Sequence, residues 1–212
     1  MAIPIGPRLE TERLVLRVGE ACDFEAFAEL NADEVAMHFI GGHMPRAAAW
    51  RKFLVMPGAW VVQGFGMFSV IEKASGKWLG QLGPWQPDGW PGTEVGWGFK
   101  RSAWGQGYAT EAAIAAIDWA FDALGWDEVI HSIDPDNTAS ILLAQRLGAR
   151  NRGPGQLPPP FEGARIDIWA QSRADWRAGS AGREHAARER AARRADLSAV
   201  QVDDKGIAGA RA

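Results

Sequence analysis

The chain has 212 residues, 47% of them hydrophobic and 23% charged, with a formal net charge of −3. That length can bury one good core, the charge gives no electrostatic grounds for a nucleic acid or an anionic membrane as partner, and the single cysteine excludes an internal disulfide. No apolar run reaches signal or membrane-spanning length, so the expected location is the cytoplasm.

In chain order, Arg13–Val18 alternates and reads as a first strand. Asp23 is placed to cap a helix that carries Phe24, Phe27 and Leu30 into a core, and Cys22 beside it reads as a small buried filler. Asp33 to Phe39 predicts a short helical turn ended by Gly41-Gly42. Pro45 then opens a second helix, expected to run through Arg51 to about Val55. Trp60–Val62, Gly66–Glu72 and Lys77–Gly83 read as strands, with Ala74-Ser75-Gly76 as a hairpin turn.

Pro84–Gly92 is a rigid loop bearing Trp85 and Trp90, and it leads into the central stretch, Glu94 to Gly125. There Glu94–Lys100 is a strand, and Gly105-Gln106-Gly107 permits a tight turn. From Tyr108 the period becomes helical, with Ile114, Ile117, Phe121 and Leu124 on one face and Glu111, Asp118 and Asp122 on the other. A helix opened by glycines offers free N–H groups and a positive dipole end to a phosphate. The spacing Gly105-x-Gly107-x-x-Thr110 does not match the dinucleotide pattern, and no Gly-Lys-Ser/Thr is present, which argues against a nucleotide-binding regulatory domain.

Further on, Glu128–Ile133 is a strand broken by Pro135, and Asp136 or Asn137 caps a helix ending at Leu147-Gly148. Arg152–Pro160 reads as a Gly/Pro-rich loop, and Ala164–Ala170 as a last strand antiparallel to the one at Glu128. The pattern predicts an α/β (α+β) domain over 1–178, with a mixed, mainly antiparallel central sheet flanked by helices. Residues 179–212 have almost no large apolar side chains and predict a polar Ala/Arg-rich tail, disordered or transiently helical over Arg183–Ala195. Its five arginines there suit a solvated segment.

WGQGYATEA, preceded by EVGWGF and followed by IDPDNTASILLAQRLG, resembles the GCN5-related N-acetyltransferases. Together with LETERLVLR at Leu9–Arg17 and IWAQSRADW at Ile168–Trp176, it is most similar to the branch that includes the ribosomal-protein N-terminal acetyltransferases. The resemblance implies an acyl-CoA N-acyltransferase fold, with acetyl-coenzyme A as co-substrate and an amine as acceptor. It also implies that the N-terminal helices line the acceptor site.

On that resemblance, backbone groups of Trp97, Gly98 and Phe99 bind the pantetheine arm as an added strand. The amides from Trp104 through Gly105, Gln106, Gly107, Tyr108 and Ala109 to Thr110 hold the pyrophosphate. The family's usual basic or Gln residue ahead of this turn is replaced here by Ser102, with Arg101 one residue early. Asn137 caps its helix and, in the family, also bonds the pantetheine arm.

Amide formation from an amine and a thioester needs a deprotonated amine, a place for oxyanion charge and a proton for the thiolate. An alkyl amine has a pKa near 10, so only about one molecule in a thousand is reactive at pH 7. Glu94, at the head of the strand where family members often carry a base, is the candidate base; a surface carboxylate is the alternative. Where many members hold a tyrosine that protonates the thiolate, this chain has Ala144, and Ser140 is the substitute candidate. Its alternative is a hydroxyl bonded back to the carbonyl of Asp136.

His38, His43, His131 and His185 lack ligand spacing, so no metal is expected. A protein N-terminus, a polyamine, an antibiotic or another small amine all fit as acceptor. A homodimer is also compatible, and so is a catalytically silent coenzyme A sensor or scaffold.

Overall fold

The computed structural model describes residues 5–179. The compact unit that carries the site ends at Arg173, and the tail expected over 179–212 lies, from residue 180, outside the described residues. The sheet has eight strands, β1 (Leu9–Glu10), β2 (Leu14–Arg17), β3 (Phe68–Glu72), β4 (Trp78–Trp85), β5 (Glu94–Phe99), β6 (Glu128–Ile133), β7 (Arg150–Gly155) and β8 (Ile166–Ser172). Their order is β1-β2-β3-β4-β5-β6-β8-β7, and only the β5–β6 pair is parallel. The sheet is therefore mixed and mainly antiparallel, as the sequence predicts.

The helices are α1 (Phe24–Ala32), α2 (Glu34–Met37), α3 (Arg46–Gln63), α4 (Tyr108–Ala123) and α5 (Thr138–Leu147). None of them is long and apolar enough to cross a membrane. The expected hairpin turn is present, with Gly76 at φ 69° and its N–H bonded to the Glu72 carbonyl at 2.9 Å.

Several expectations are corrected. Trp60–Val62 is not a strand, and α3 does not stop near Val55; it runs on to Gln63 and ends at Gly64 with φ 79°. Packing overrides the β-branched pair. Trp60 is 2% exposed, packs with its ring tilted against Phe68 and Trp119 at 4.9 and 5.5 Å between ring centres, and donates its indole N–H to the Met67 carbonyl at 3.1 Å. Pro45 caps α3 rather than opening its first turn. Arg150–Gly155 is an edge strand rather than part of a loop, because an edge position tolerates Pro154 where the register slips after Asn151.

Asp23 stands at the N-cap position of α1 as expected, but its side chain bonds none of that helix's N–H groups. It accepts both Arg17 guanidinium N–H groups at 2.7 and 2.8 Å and the Ser69 hydroxyl at 2.8 Å. Cys22 is exposed rather than buried.

The buried stripe of α4 is also offset from the one expected. It is made of Ala112, Ala113, Ala116, Ile117, Ala120 and Phe121, while Ile114 and Leu124 are half-buried. Ile117 and Phe121 lie on the packed face as expected, and the small alanines beside them let the helix approach the sheet closely, so Ile114 and Leu124 fall at its margin.

Candidate active site

β5 is where the sheet opens. It pairs with β6 only through Glu94 and Ile130, and beyond that point the two strands part. On its other side β5 is fully paired with β4, from Trp85 opposite Glu94 to Gly80 opposite Phe99. The Lys100 N–H bonds the Leu79 carbonyl, so by strand alternation Gly98 and Gly96 also direct their backbone groups to β4. Val95, Trp97 and Phe99 direct theirs to the open edge. Consistent with that, the Val95 carbonyl accepts from His131 Nδ1 at 2.7 Å and the Phe99 carbonyl from the Trp104 indole at 2.9 Å. Of the three residues expected on the pantetheine arm, Trp97 and Phe99 face the gap through backbone groups, and Gly98 does so only through its bare Cα.

A cleft of about 1190 Å³ extends from this gap. Trp97, Gly98 and Phe99 line it, followed by Trp104, Gly105, Gly107, Ala109 and Thr110 of the glycine turn and the first turn of α4. Asn137 and Ser140 line it from α5. Gln106 and Tyr108 do not. The Gln106 amide donates to the Ser102 carbonyl at 2.6 Å, and the Tyr108 hydroxyl donates to Glu72. Gly107 is the N-cap of α4 at φ 79° and Gly105 has φ 71°, backbone that side-chain-bearing residues rarely adopt.

Arg13, Thr11 and Glu111, to which the sequence reading gave no part in the site, hold this turn in place. Arg13, at the entry to β2, donates its backbone N–H and Nε to Glu111 of α4 at 2.8 and 2.7 Å. Its Nη1 donates to the Gln106 carbonyl at 3.0 Å, and its guanidinium lies 4.4 Å from the Tyr108 ring centre. The Thr11 hydroxyl also donates to Glu111 at 2.5 Å. Burial works against the Glu111 carboxylate, but these donors outweigh it and hold its pKa below the usual range.

Glu111→Gln should therefore lower the melting temperature, by about 1–3 kcal/mol of stability for a lost charge-assisted pair. The wild-type contribution should fade as pH falls through the depressed carboxyl pKa. Equal melting curves for the two proteins would make the clasp a solvated surface pair.

Glu94 is 7% exposed and is not a surface carboxylate. Its Oε2 accepts the Trp90 indole N–H and the Ser132 hydroxyl, each at 2.7 Å. Burial pushes its pKa up to about 7 against the pull of those donors. Oε1 lies over Gly96, where a Cβ would sit 3.2 Å from it and 2.9 Å from the Met67 methyl. Glu94 does not line the cleft. By alternation it shares a face of β5 with Gly96 and Gly98, the face against which Ile40 packs.

Trp97 points to the opposite face. Its indole N–H donates to Ser140 Oγ at 3.1 Å, and its ring lies 4.8 Å from the His131 ring. The hydrogen bond of Ser140 is thus to Trp97 rather than back to Asp136. Asn137 caps α5 by accepting the Ser140 N–H at 3.1 Å. His131 is fully enclosed, and burial lowers its pKa to about 4, so it is neutral near pH 7. It serves as a wall behind Trp97, a role that no local pattern in the sequence marks.

Residues 13–150 match the family described as an acetyltransferase (GNAT) domain. The chain belongs to the GNAT acetyltransferase family. It is similar to an uncharacterized N-acetyltransferase, p20, of Bacillus licheniformis, with 29% identity over 164 residues, covering 76% of this chain and 92% of that one. It is 38% identical over 87 residues to the uncharacterized protein YkkB of Bacillus subtilis, a match spanning 40% of this chain and only about half, 51%, of that protein. Among solved structures, an acetyltransferase from Agrobacterium tumefaciens superposes with a TM-score of 0.70 at 28% identity, covering 82% of this chain and 96% of that one. This GNAT chain is an acetyltransferase by family, and its cleft lies where β5 and β6 part.

Proposed function

We propose that this GNAT protein moves the acetyl group of acetyl-coenzyme A to an amine, by direct attack while both substrates are bound. The observation that carries the reading is the single point of pairing between β5 and β6. It leaves Trp97 and Phe99 with backbone groups on an open edge that continues into the glycine turn at the head of α4. An extended arm with one amide after another fits that edge as an added strand, and a pyrophosphate fits the turn. Bound acetyl-coenzyme A supplies a thioester carbonyl as electrophile.

The chain's own groups divide the remaining work between the two faces of β5. Glu94, with a pKa near 7, takes the proton that the attacking nitrogen loses as the new C–N bond forms. It reaches that nitrogen through water, because it lies outside the cleft lining. A backbone N–H on the open edge of β5 stabilises the charge that grows on the carbonyl oxygen. Ser140, on the other face, accepts from Trp97 and keeps its own O–H to donate, so it holds a proton at the sulfur as the C–S bond breaks.

A second reading, coenzyme A binding without transfer, draws on the separation of Glu94 from the cleft. The test is to incubate the purified chain with acetyl-coenzyme A and a panel of N-terminal peptides, polyamines, aminoglycosides and small amines, and to follow release of free thiol. Thiol release matched by acetylated amine is expected. Tight binding with no release on any amine would favour the sensor.

A further inference from the structure

On the Glu94 side of β5 the cleft has a wall to which the transfer steps assign nothing. It is built by α2 and the turn after it, where Glu34, Val35, Ala36, His38, Phe39 and Ile40 line the cleft. Ile40 sets its position, because Ile40 Cδ1 lies 3.1 Å from where a Gly98 Cβ would be, on the face of β5 that Gly98 shares with Glu94. The turn is held by its own backbone, with the Ile40 and Gly42 N–H groups both bonding the Met37 carbonyl at 3.0 Å. It leaves Val35 58% and Phe39 38% exposed. The Phe39 ring stands edge-on to His38, with ring centres 4.5 Å apart. Large apolar side chains that line a cleft and are left to water mark a surface for an apolar ligand.

Negative charge near this wall is already committed. Asp33 accepts from Arg101 Nε at 2.6 Å and from two N–H groups of α2, and Glu29 accepts from Lys100 at 2.5 Å. Among the described residues the carboxylates that line the cleft are Glu34 and Asp136. Asp136 is engaged by Arg165, and Glu34 lies 3.9 Å from His43 Nε2. The backbone is committed too, since Gly96 and Gly98 direct their polar groups to β4.

We propose that the acceptor is a small monoamine on an apolar body, of the arylalkylamine kind, held by Val35, Phe39 and Ile40 with its nitrogen on the Glu94 side. This rests on the transfer reading above and names its substrate class. The reaction is the same: the nitrogen forms the C–N bond and loses its proton to Glu94, and the coenzyme leaves as the free thiol. A polyamine or an aminoglycoside carries several ammonium groups at pH 7, and each would leave water for a wall whose one carboxylate is Glu34. A peptide N-terminus brings amides behind its amine, and the glycine face offers no backbone partner for them. A monoamine has a single polar end, and its apolar body gains by covering Val35 and Phe39.

Initial rates of thiol release at saturating acetyl-coenzyme A test this, read as kcat/KM and corrected for the unprotonated fraction of each amine. The value should rise from ethylamine through butylamine to 2-phenylethylamine. The last should exceed spermidine, kanamycin and a short peptide with a free N-terminal alanine by at least about tenfold. Phe39→Ala should flatten that rise, with the KM for 2-phenylethylamine up about tenfold and kcat nearly unchanged, the pattern of binding lost equally in ground and transition states. Val35→Glu, which adds a carboxylate to the wall, should shift the preference toward spermidine.

Faster use of spermidine, kanamycin or the peptide than of 2-phenylethylamine would overturn the substrate class and leave the transfer reading standing. A flat series of alkylamines would do the same. So would a Phe39→Ala protein whose acetyl-coenzyme A affinity falls by the factor that its amine KM rises, since the wall would then serve the coenzyme. If no amine of the panel releases thiol, the transfer reading itself fails and the substrate class with it.

Discussion

Replacing Glu94 by Gln is expected to cut turnover by roughly 10²–10⁴-fold, the range for a positioned acid–base group, and to leave acetyl-coenzyme A affinity nearly unchanged. Gln keeps the size of the side chain and an oxygen for the Trp90 and Ser132 donors, but has no basicity. The wild-type rate should rise as pH passes about 7, where burial has placed the carboxyl. The deficit of the variant should narrow as pH approaches the amine's own pKa near 10, because more acceptor then arrives deprotonated.

Stability should move the other way. A carboxyl raised from 4.5 to about 7 in the fold favours folding fully below pH 4.5 and loses that contribution as pH climbs through about 7. Ionised in place above pH 7, it costs roughly 3 kcal/mol. Glu94→Gln should therefore be more stable than wild type at pH 8, with the difference vanishing near pH 4. A slower but stabler protein is the signature of a functional group held against its solvation. Wild-type turnover in the variant at neutral pH would leave the amine proton to water or to the substrate. If the two proteins instead show parallel stability curves across that pH range, the carboxyl is not perturbed.

Gly107→Val carries the second large effect, a loss of about 100-fold or more in acetyl-coenzyme A affinity. The cause is backbone strain. Gly107 stands at φ 79°, and a β-branched residue forced there costs about 1–3 kcal/mol or rotates the turn. A Cβ at this position would meet Arg13 Nη2 at 3.5 Å. What the variant disturbs is the aim of the amides at the head of α4 and the Arg13 clasp behind them. Titration calorimetry on the folded variant measures the loss. Affinity within about threefold of wild type would take the turn out of the binding site.

Much of this was readable from local signals. The strand, glycine turn and helix from Glu94 to Ala123 are written in period and in glycine placement, because φ near +75° at Gly105 and Gly107 is a local demand that only glycine meets readily. The same holds for Asn137, whose capping bond spans three residues. The elements that were misread had their local preference overridden by distant contacts. Trp60 holds α3 together through Phe68 and Trp119, and the alanines of α4 show their importance only once a sheet lies against them.

The sequence by itself determined most of the order of elements, the mainly antiparallel character of the sheet and the position of the glycine turn at the head of α4, since each rests largely on local patterns. Tertiary structure alone decided the chemistry of the site. The raised pKa of Glu94 comes from burial beside Trp90 and Ser132, the latter 38 residues away along the chain. The hold on Ser140 comes from Trp97, 43 residues away, and the hold on the glycine turn from Arg13, 93 residues before Gln106. Solvation and hydrogen-bond geometry depend on which atoms meet in space, and these meetings exist only once β5 has parted from β6.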